Sequence, residues 1–422
     1  MSGDQQAGPQ VRPDQVTLGV LVGQVPRDVI DPVVAGLGKG ARRSDGKLPA
    51  HVTAYLTMGL WLFPDDPYEE VATKVTGGLD RFGCWDASWS VPTASGITQA
   101  RKRLGAQVME QVFEGVAQPV ATRATRGAWL RGRRLVAIDG FDVDLPDSDD
   151  NTAVFGHASG GQGVSGYPKA RVVALAECGT HAFLAAEIGP YGVGEKTLAR
   201  RLYPRLHADE ILTADRNFYS FEDWGLASRA GAALLWRAPT GLDLPVVQVL
   251  EDGTYRTVLI KPTVRGARRR REILAAARDG ADLDDPAAVP AAWDADGNQL
   301  AHLARVVEYD VPDRDGNGTG ELIVLLTTIL DPADAHADEL AAAYHERWEQ
   351  ETGHDQLKTH LRGPAKILRS RLPDLVYQEI CCAMRRSVIS PAQRGEMGGI
   401  SLDLMANPEP KGKIGDRSMP GN

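Results

Sequence analysis

The sequence LVAIDGFDVDL, at residues 135–145, decides how the rest of the chain is interpreted. Apolar residues fill its first half and then alternate with polar ones, which predicts a β-strand. Asp139 ends the apolar run, where a carboxylate is costly to bury unless it is paired or binds a cation. Taken singly, an aspartate at such a place is more often a turn or helix-cap residue than a ligand.

Short strands and helices alternate after this strand, which predicts an α/β layer with some parallel pairing. Asp215 directly follows one of these strands, at the carboxyl edge where α/β folds place their sites. Residues 240 to about 320 break the rhythm and predict a β-rich insertion. The predicted strands are 171–176, 183–188, 210–214, 233–236 and 321–329, and the predicted helices are 196–206 and 221–230.

The chain before the first strand has a helical pattern from about residue 15 to 125. Helices are predicted at 51–63 and 67–79, and the segment 95–113 predicts two short helices broken near Gly105. Basic residues at 101–103 lie on the first of these two. The outline fits either a helix-turn-helix or an ordinary small helical bundle.

Composition is that of a globular chain of two to three domains, with 422 residues and 43% apolar content. The net charge of −9 gives no overall support to a nucleic-acid partner. Arginines nevertheless cluster at 123–134 and at 265–271, and each cluster is either a solvated face or a phosphate-binding surface. No apolar stretch is long enough for a membrane span, no secretory signal is present, and the four cysteines are expected to be reduced thiols.

A long helix is predicted from Asp334 to Leu361, after a start signal at Asp331 and Pro332. Because seven residues make almost two helical turns, its chemically active side chains fall on one stripe. The alternative is an exposed, salt-bridged helix, which leaves the Tyr344 phenol and the Lys358 ammonium without a role. The stripe consists of Tyr344, Arg347, Glu351 and Lys358.

Three carboxylates from two strand ends and a helix can hold two divalent ions, which prefer oxygen ligands. Two such ions activate an attacking oxygen and stabilise the leaving one in phosphoryl transfer. The candidate ligands are Asp139, Asp215 and Glu351.

Four blocks of the sequence resemble the DDE-type insertion-sequence transposases of the insertion element four family. The third-acid signature of that family is Tyr, two residues, Arg, three residues, Glu, six residues and Lys, and residues 344–358 match it without a gap. The other blocks, in the family's order, are IDG at 138–140, YPKAR at 167–171 and ADRNFY at 214–219. The helical segment at about 15–115 resembles the family's N-terminal domain.

The resemblance implies an α/β fold with a ribonuclease H-like catalytic core, a β-rich insertion and an all-helical N-terminal domain. It implies that Asp139, Asp215 and Glu351 are the catalytic residues and hold Mg²⁺, with Mn²⁺ as the alternative. It also implies DNA contacts near the cut from Tyr344, Arg347 and Lys358. The insertion's Arg268, Arg269, Arg270 and Arg271 would bind phosphates.

The function implied is cleavage of the ends of a mobile element and joining of a 3′-hydroxyl to target DNA. The partners would be double-stranded DNA, as terminal inverted repeats and target, and a second copy of the chain in a synaptic complex. The location implied is the bacterial cytoplasm, in association with the nucleoid. The alternatives are a transposase-derived DNA-binding protein that no longer cuts, and a related metal nuclease or other α/β enzyme.

The expected organisation has four parts. Residues 1–14 form a disordered tail, 15–125 a helical DNA-binding domain, and 130–385 the catalytic domain with its insertion at about 240–320. Residues 388–422 are rich in Gly, Pro, Met and charge, unlike the family's C-terminal helix, and are expected to be a disordered tail.

Overall fold

A computed structural model of the protein describes residues 22–23, 25–40, 48–79, 90–160, 163–311, 320–347 and 367–385. Within them the protein is mixed α/β, with one large mixed sheet of 11 strands and helices packed against it. Glu351, Lys358 and the tails predicted at 1–14 and 388–422 lie outside the described residues.

The strands follow one another along most of the chain after residue 128. They are β1 (Trp129–Leu130), β2 (Arg133–Asp144), β3 (His157–Gly160), β4 (Gly163–Glu177), β5 (Phe183–Pro190), β6 (Glu210–Ala214), β7 (Ala233–Arg237), β8 (Val246–Val249), β9 (Tyr255–Ile260), β10 (Ala301–Val311) and β11 (Glu321–Thr327).

Helices precede the sheet, connect its strands and follow it. They are α1 (Arg27–Gly36), α2 (Ala50–Leu62), α3 (Tyr68–Leu79), α4 (Ala94–Leu104), α5 (Ala106–Val116), α6 (Asp149–Phe155), α7 (Glu195–Leu202), α8 (Phe221–Arg229), α9 (Ala267–Arg278), α10, described over 337–347, and α11 (Pro373–Arg385).

The centre of the sheet combines antiparallel and parallel pairing. β2 pairs antiparallel with β4, which pairs antiparallel with β5. On its other side β2 pairs parallel with β6, and β6 pairs parallel with β7. The predicted parallel pairing is therefore confirmed, and β6 has the bounds that the sequence predicted.

Residues 240–320 contribute strands to this same sheet. β11 joins β7, and β10, β9 and β8 continue outward as antiparallel neighbours. The arginine cluster at 265–271, expected among short β-like pieces, instead begins helix α9, whose sequence is ARRRREILAAAR. Ala, Arg and Leu are strong helix formers, so local propensity explains this correction.

The N-terminal helices share a hydrophobic core with the sheet. α4 and α5 are separated at Gly105, whose φ of +80° suits a glycine, so the predicted break is confirmed. Buried residues of these helices belong to one cluster with Phe141 and Val143 of β2 and with Val376 and Ile380 of α11. One face of the sheet is therefore covered jointly by the two ends of the described chain.

None of the described helices is long and apolar enough to cross a membrane. The described cysteines, Cys178, Cys381 and Cys382, are buried.

Candidate active site

Asp139 and Asp215 occupy equivalent places on neighbouring parallel strands. Ile138 of β2 is in register with Ala214 of β6, and each aspartate is the next residue. Because neighbouring strands lie about 5 Å apart, the two aspartate backbones are adjacent. Both side chains are half-buried. Past the pairing of Ile138 with Ala214, β2 continues to Asp144, and of the described strands only β4 pairs with it there.

Asp139 interrupts a buried stripe on one face of β2. Leu135 and Ala137 belong to the cluster formed with α10, whereas Phe141 and Val143 belong to the cluster formed with the N-terminal helices. Alternation along the strand puts Asp139 on this face, between the two clusters. The carboxylate therefore lies where the apolar cover of the sheet changes from one group of helices to another.

Helix α10 covers the same face of the sheet beside Asp215. Tyr344 is fully buried in a cluster with Ile211 of β6 and Leu235 of β7. Burial raises the pKa of Tyr344, and the nearby Asp215 carboxylate raises it further, whereas the Arg347 guanidinium opposes this shift. Tyr344 thus packs against β6, the strand that ends one residue before Asp215.

The stripe predicted on this helix is buried over its described part. Tyr344 is 0% and Arg347 3% exposed, and the guanidinium lies 5.4 Å from the Tyr344 ring. These two residues are therefore not exposed, as the alternative of an exposed, salt-bridged helix requires, whereas an ion pair of Arg347 with Glu351 involves a residue outside the described part of the chain. The helix is described from residue 337 rather than from Asp334, because Asp331 instead forms a turn with Ala333 and Asp334.

Glu351 and Lys358, the remaining members of the stripe, lie outside the described residues. Among the residues that are described, no group of three or more His, Cys, Asp or Glu side chains is placed to hold a metal ion. The structure thus brings Asp139, Asp215, Tyr344 and Arg347 to one region and does not test the third acid.

Two charged residues at this edge were missed from the sequence. Arg237 follows Trp236, which is in register with Ala214, so it continues the row formed by Asp139 and Asp215, and it forms an ion pair with Glu321 of β11. Glu195 begins α7 and lies against Gly140. Only the strand order brings them here, and the one local signal, a charge at the end of a short apolar strand, applied to Arg237 alone.

Models of two protein families match the chain. The insertion element 4 transposase N-terminal model matches residues 15–114, and the transposase DDE domain model matches residues 130–377, more than half of the chain. The chain belongs to the insertion element 4 family of DDE transposases.

Relatives of this transposase include two proteins of Escherichia coli strain K12. The transposase InsG for insertion sequence element IS4 is 25% identical over 337 residues, which are 79% of this chain and 67% of InsG. The putative transposase InsZ is 29% identical over 185 residues, which are 43% of this chain and 60% of InsZ. Among solved structures, the piggyBac transposase synaptic complex with hairpin DNA is similar with a TM-score of 0.40 and 10% identity, over 93% of this chain and 79% of that one.

The arginines at the start of α9 differ in their surroundings. Arg268 and Arg271 are exposed, and Arg268 pairs with Glu272 one turn along the same helix. Arg269 is half-buried and donates hydrogen bonds to the Ala291 and Trp293 carbonyls. Arg270 pairs with Asp243. Arg268 and Arg271 are thus open to a phosphate, whereas Arg269 holds the helix to the loop beneath it.

The basic residues at 101–103, on α4, also differ in their surroundings. Lys102 and Arg103 are exposed, but Arg101 is fully buried and donates to Gln378 Oε1 at 3.2 Å and to the Leu375 carbonyl at 3.0 Å. Arg101 is therefore not part of a basic surface, because α11 supplies these acceptors in the interior.

In the cluster at 123–134, three arginines are tied to the protein. Arg123 and Arg134 stack on the Trp129 ring, with guanidinium-to-ring distances of 4.1 and 4.5 Å. Arg134 also pairs with the buried Glu177, and Arg131 pairs with Glu339. These contacts give the cluster a structural role at the start of the sheet.

Proposed function

We propose that this protein is a DNA transposase that cuts the ends of its insertion element and joins them to target DNA by two-metal-ion phosphoryl transfer. The observation that carries the proposal is the adjacent placement of Asp139 and Asp215 on parallel strands within a DDE domain. Asp139, Asp215 and Glu351 would be the ligands, with Mg²⁺ as the ion and Mn²⁺ as the alternative.

The residues fit such ions. Carboxylate oxygens are the donors that Mg²⁺ and Mn²⁺ prefer, and a spacing of about 5 Å between neighbouring strands lets two aspartates approach a common ion. Bound divalent ions would activate the attacking oxygen and stabilise the leaving one. The half-buried setting of both aspartates strengthens their electrostatic attraction for a cation relative to open solvent.

The neighbouring cations would orient the DNA. Arg347 lies four residues before Glu351 and Lys358 seven residues after it, which puts the three on one face of the predicted helix. A guanidinium binds a phosphate with two parallel hydrogen bonds, and an ammonium binds as a point charge. The burial of Tyr344 favours a packing role for its ring. The predicted contact between its hydroxyl and DNA would require this side chain to become accessible.

We also propose that the catalytic core is ribonuclease H-like. The order β5-β4-β2-β6-β7, an antiparallel meander followed by two strands parallel to β2, supports this assignment. The domain boundaries at about 125 and 240–320 remain predictions, as does a homodimer that holds two DNA ends.

The test is cleavage of a duplex that carries the DNA flanking the gene, with Mg²⁺ present. Asp139→Asn, Asp215→Asn and Glu351→Gln should each abolish cleavage while DNA binding, measured by gel shift, stays within about twofold of wild type. Asp147→Asn, at an exposed aspartate beyond β2, is the matched control and should cleave normally. Cleavage that survives Asp215→Asn would refute the assignment, and a wild-type protein that binds without cutting would favour the DNA-binding alternative.

A further inference from the structure

The start of helix α10 is capped by a residue from a distant part of the chain. Asp252 lies in the turn between β8 and β9, and its Oδ2 accepts a hydrogen bond at 3.1 Å from the backbone N–H of Ala337, 85 residues away. Ala337 is the first residue of the described helix. The first amides of a helix have no acceptor within it, and a carboxylate beside them also interacts favourably with the helix dipole. Asp252 thus acts on α10 as an N-cap side chain does on other helices.

Arg305 of β10 completes this contact from the protein interior. Its side chain is fully buried, forms an ion pair with Asp252, and donates from Nη1 to the Ala335 carbonyl at 2.8 Å, just before the helix. Thr254 links the two charged groups, because it donates to Asp252 Oδ1 at 2.6 Å and accepts from Arg305 Nε at 2.8 Å. The segment that leads into α10 and the first amide of the helix are therefore both bound to one buried ion pair.

A second contact holds the same turn of the helix. Glu339 accepts the His336 N–H at 2.9 Å, as the acid of a capping box does. Arg131, in the turn between β1 and β2, donates two hydrogen bonds to Glu339, at 2.8 and 2.9 Å. The turns β1–β2 and β8–β9 thus both bind the start of α10.

Apolar packing alone would not fix α10 along its own axis. Beyond its first turn the helix packs on the sheet through an apolar cluster in which Leu340 and Tyr344 join Ile211 of β6. Hydrophobic contact is non-directional, whereas hydrogen bonds to the end of a helix act at one position and in one direction. Arg347 follows on the same helix, so the bonds at its start also determine where this guanidinium lies.

Stability alone does not account for a charged pair at this place. Taking a carboxylate and a guanidinium out of water costs free energy that their attraction often fails to exceed, so apolar residues of similar volume can stabilise a protein equally well. Apolar residues could not, however, bind the Ala337 N–H or the Ala335 carbonyl. What the ion pair supplies here is a fixed direction at the helix start.

We propose that Asp252 and Arg305 are positioning residues for the active site. They fix the start of α10 and thereby the place of Arg347 relative to Asp215. This inference rests on the proposed function, because it assumes that DNA cleavage uses the side chains of α10. Neither positioning residue contacts DNA or a metal ion in this account. The segment predicted as an insertion thus helps to assemble the site, in addition to its proposed phosphate contacts.

The experiment combines cleavage of the duplex that carries the flanking DNA with hydrogen exchange of the full-length protein. Asp252→Ala should lower the cleavage rate at saturating DNA by about 10- to 100-fold, because a small displacement of a positioning helix misplaces the reacting groups. DNA affinity, measured by gel shift, should stay close to the wild-type value, and the backbone amides at 337–347 should exchange faster. Asp252→Asn keeps an oxygen that can accept the Ala337 N–H, so it should cleave faster than Asp252→Ala.

Asp294→Ala is the matched control. Asp294 also lies in the segment predicted as an insertion, and its carboxylate accepts backbone N–H groups of Asp296 and Asn298 at 3.0 and 2.8 Å. Within the described residues its hydrogen-bond partners all belong to that one turn. Its loss should therefore leave both the cleavage rate and the exchange at 337–347 unchanged.

The double variant Asp252→Ala with Arg305→Met separates positioning from stability. Removing both charges leaves neither of them buried alone, so it should lose less free energy of unfolding than the two single variants together. Its cleavage rate should nevertheless stay as low as that of Asp252→Ala, because nothing replaces the bonds to the helix start. Cleavage restored to the wild-type rate would show that the ion pair acts through stability alone and would overturn the inference.

The outcomes separate this inference from the proposed function. If the wild-type protein cleaves and Asp252→Ala cleaves at the same rate, the positioning role is refuted and the proposed function stands. A low rate without faster exchange at 337–347, or a loss that Asp294→Ala reproduces, would also overturn the inference, since the effect would not act through α10. If the wild-type protein does not cleave, both claims fail.

Discussion

His302 is held neutral by its surroundings. It lies on β10 with 6% exposure, its ring centroid is 4.6 Å from that of Phe221, and its Nε2 approaches Gly225 of α8. Burial lowers its pKa to about 4, with Arg229 adding to the shift and Asp284 opposing it. An imidazole in this position packs the sheet against α8.

We predict that this residue makes stability depend on pH. The unfolded chain takes up a proton below about pH 6.5, whereas the folded protein does not until about pH 4, so the free energy of unfolding falls as pH drops through that window. The contribution is complete above pH 6.5, and about 2 kcal/mol of it should be lost by pH 5. Urea unfolding at pH 7.5 and 5.0 measures this loss.

His302→Gln should remove that part of the pH dependence, and the exposed His207→Gln should keep it. If His302→Gln shows the same loss between pH 7.5 and 5.0 as wild type, the imidazole is not the group responsible.

At the scale of an element, α9 carries two kinds of arginine. Exposed Arg268 can exchange its partner Glu272 for a phosphate, because a surface ion pair contributes little to the stability of the protein. We therefore expect Arg268→Ala and Arg271→Ala to weaken binding to duplex DNA by a similar factor whatever the DNA sequence. Each should reduce the slope of log affinity against log salt by about one. Binding titrations at several salt concentrations measure both effects.

The contrasting variant is Arg269→Ala on the same helix. Arg269 satisfies two carbonyl groups, so its loss should lower the free energy of unfolding by about 1–3 kcal/mol and leave the salt slope unchanged. If Arg268→Ala and Arg271→Ala both leave DNA affinity at the wild-type value, α9 is not a DNA-binding surface.

At the scale of the molecule, a buried polar network joins the N-terminal helices to α11. Arg101 of α4 bonds to Gln378 and Leu375 and lies 3.5 Å from the Glu379 carboxylate, while Gln378 returns a hydrogen bond to the Arg101 carbonyl at 2.9 Å. This network connects parts of the chain that are 277 residues apart.

Arg101→Met should destabilise the whole protein. It leaves Glu379 buried without its cation, which typically costs about 3–5 kcal/mol. The double variant Arg101→Met with Glu379→Gln should lose less free energy of unfolding than the sum of the losses of the two single variants. Lys102→Met, at an exposed position, should change the free energy of unfolding by less than about 0.5 kcal/mol. Chemical denaturation measures all four proteins, and an Arg101→Met variant as stable as Lys102→Met would contradict this role.

A feature could be predicted from the sequence when the interactions that produce it are between residues close together along the chain. The strand at Glu210–Ala214 and the break at Gly105 were predictable because they follow from short apolar runs and from glycine geometry. The burial of Arg101 was not, because its acceptors lie far along the chain. Glu195 was missed for the same reason, since only the order of the strands and the crossover after β5 place it under Gly140.

In the proposed active site three acids meet around divalent ions, and anomalous X-ray scattering from Mn²⁺ locates such ions and their ligands. Crystals of the full chain with Mn²⁺ and its DNA end should show peaks within about 2.5 Å of carboxylate oxygens of Asp139, Asp215 and Glu351. Peaks at other residues only, or a Glu351 carboxylate that remains away from Asp139 and Asp215 while the metal is bound, would contradict it.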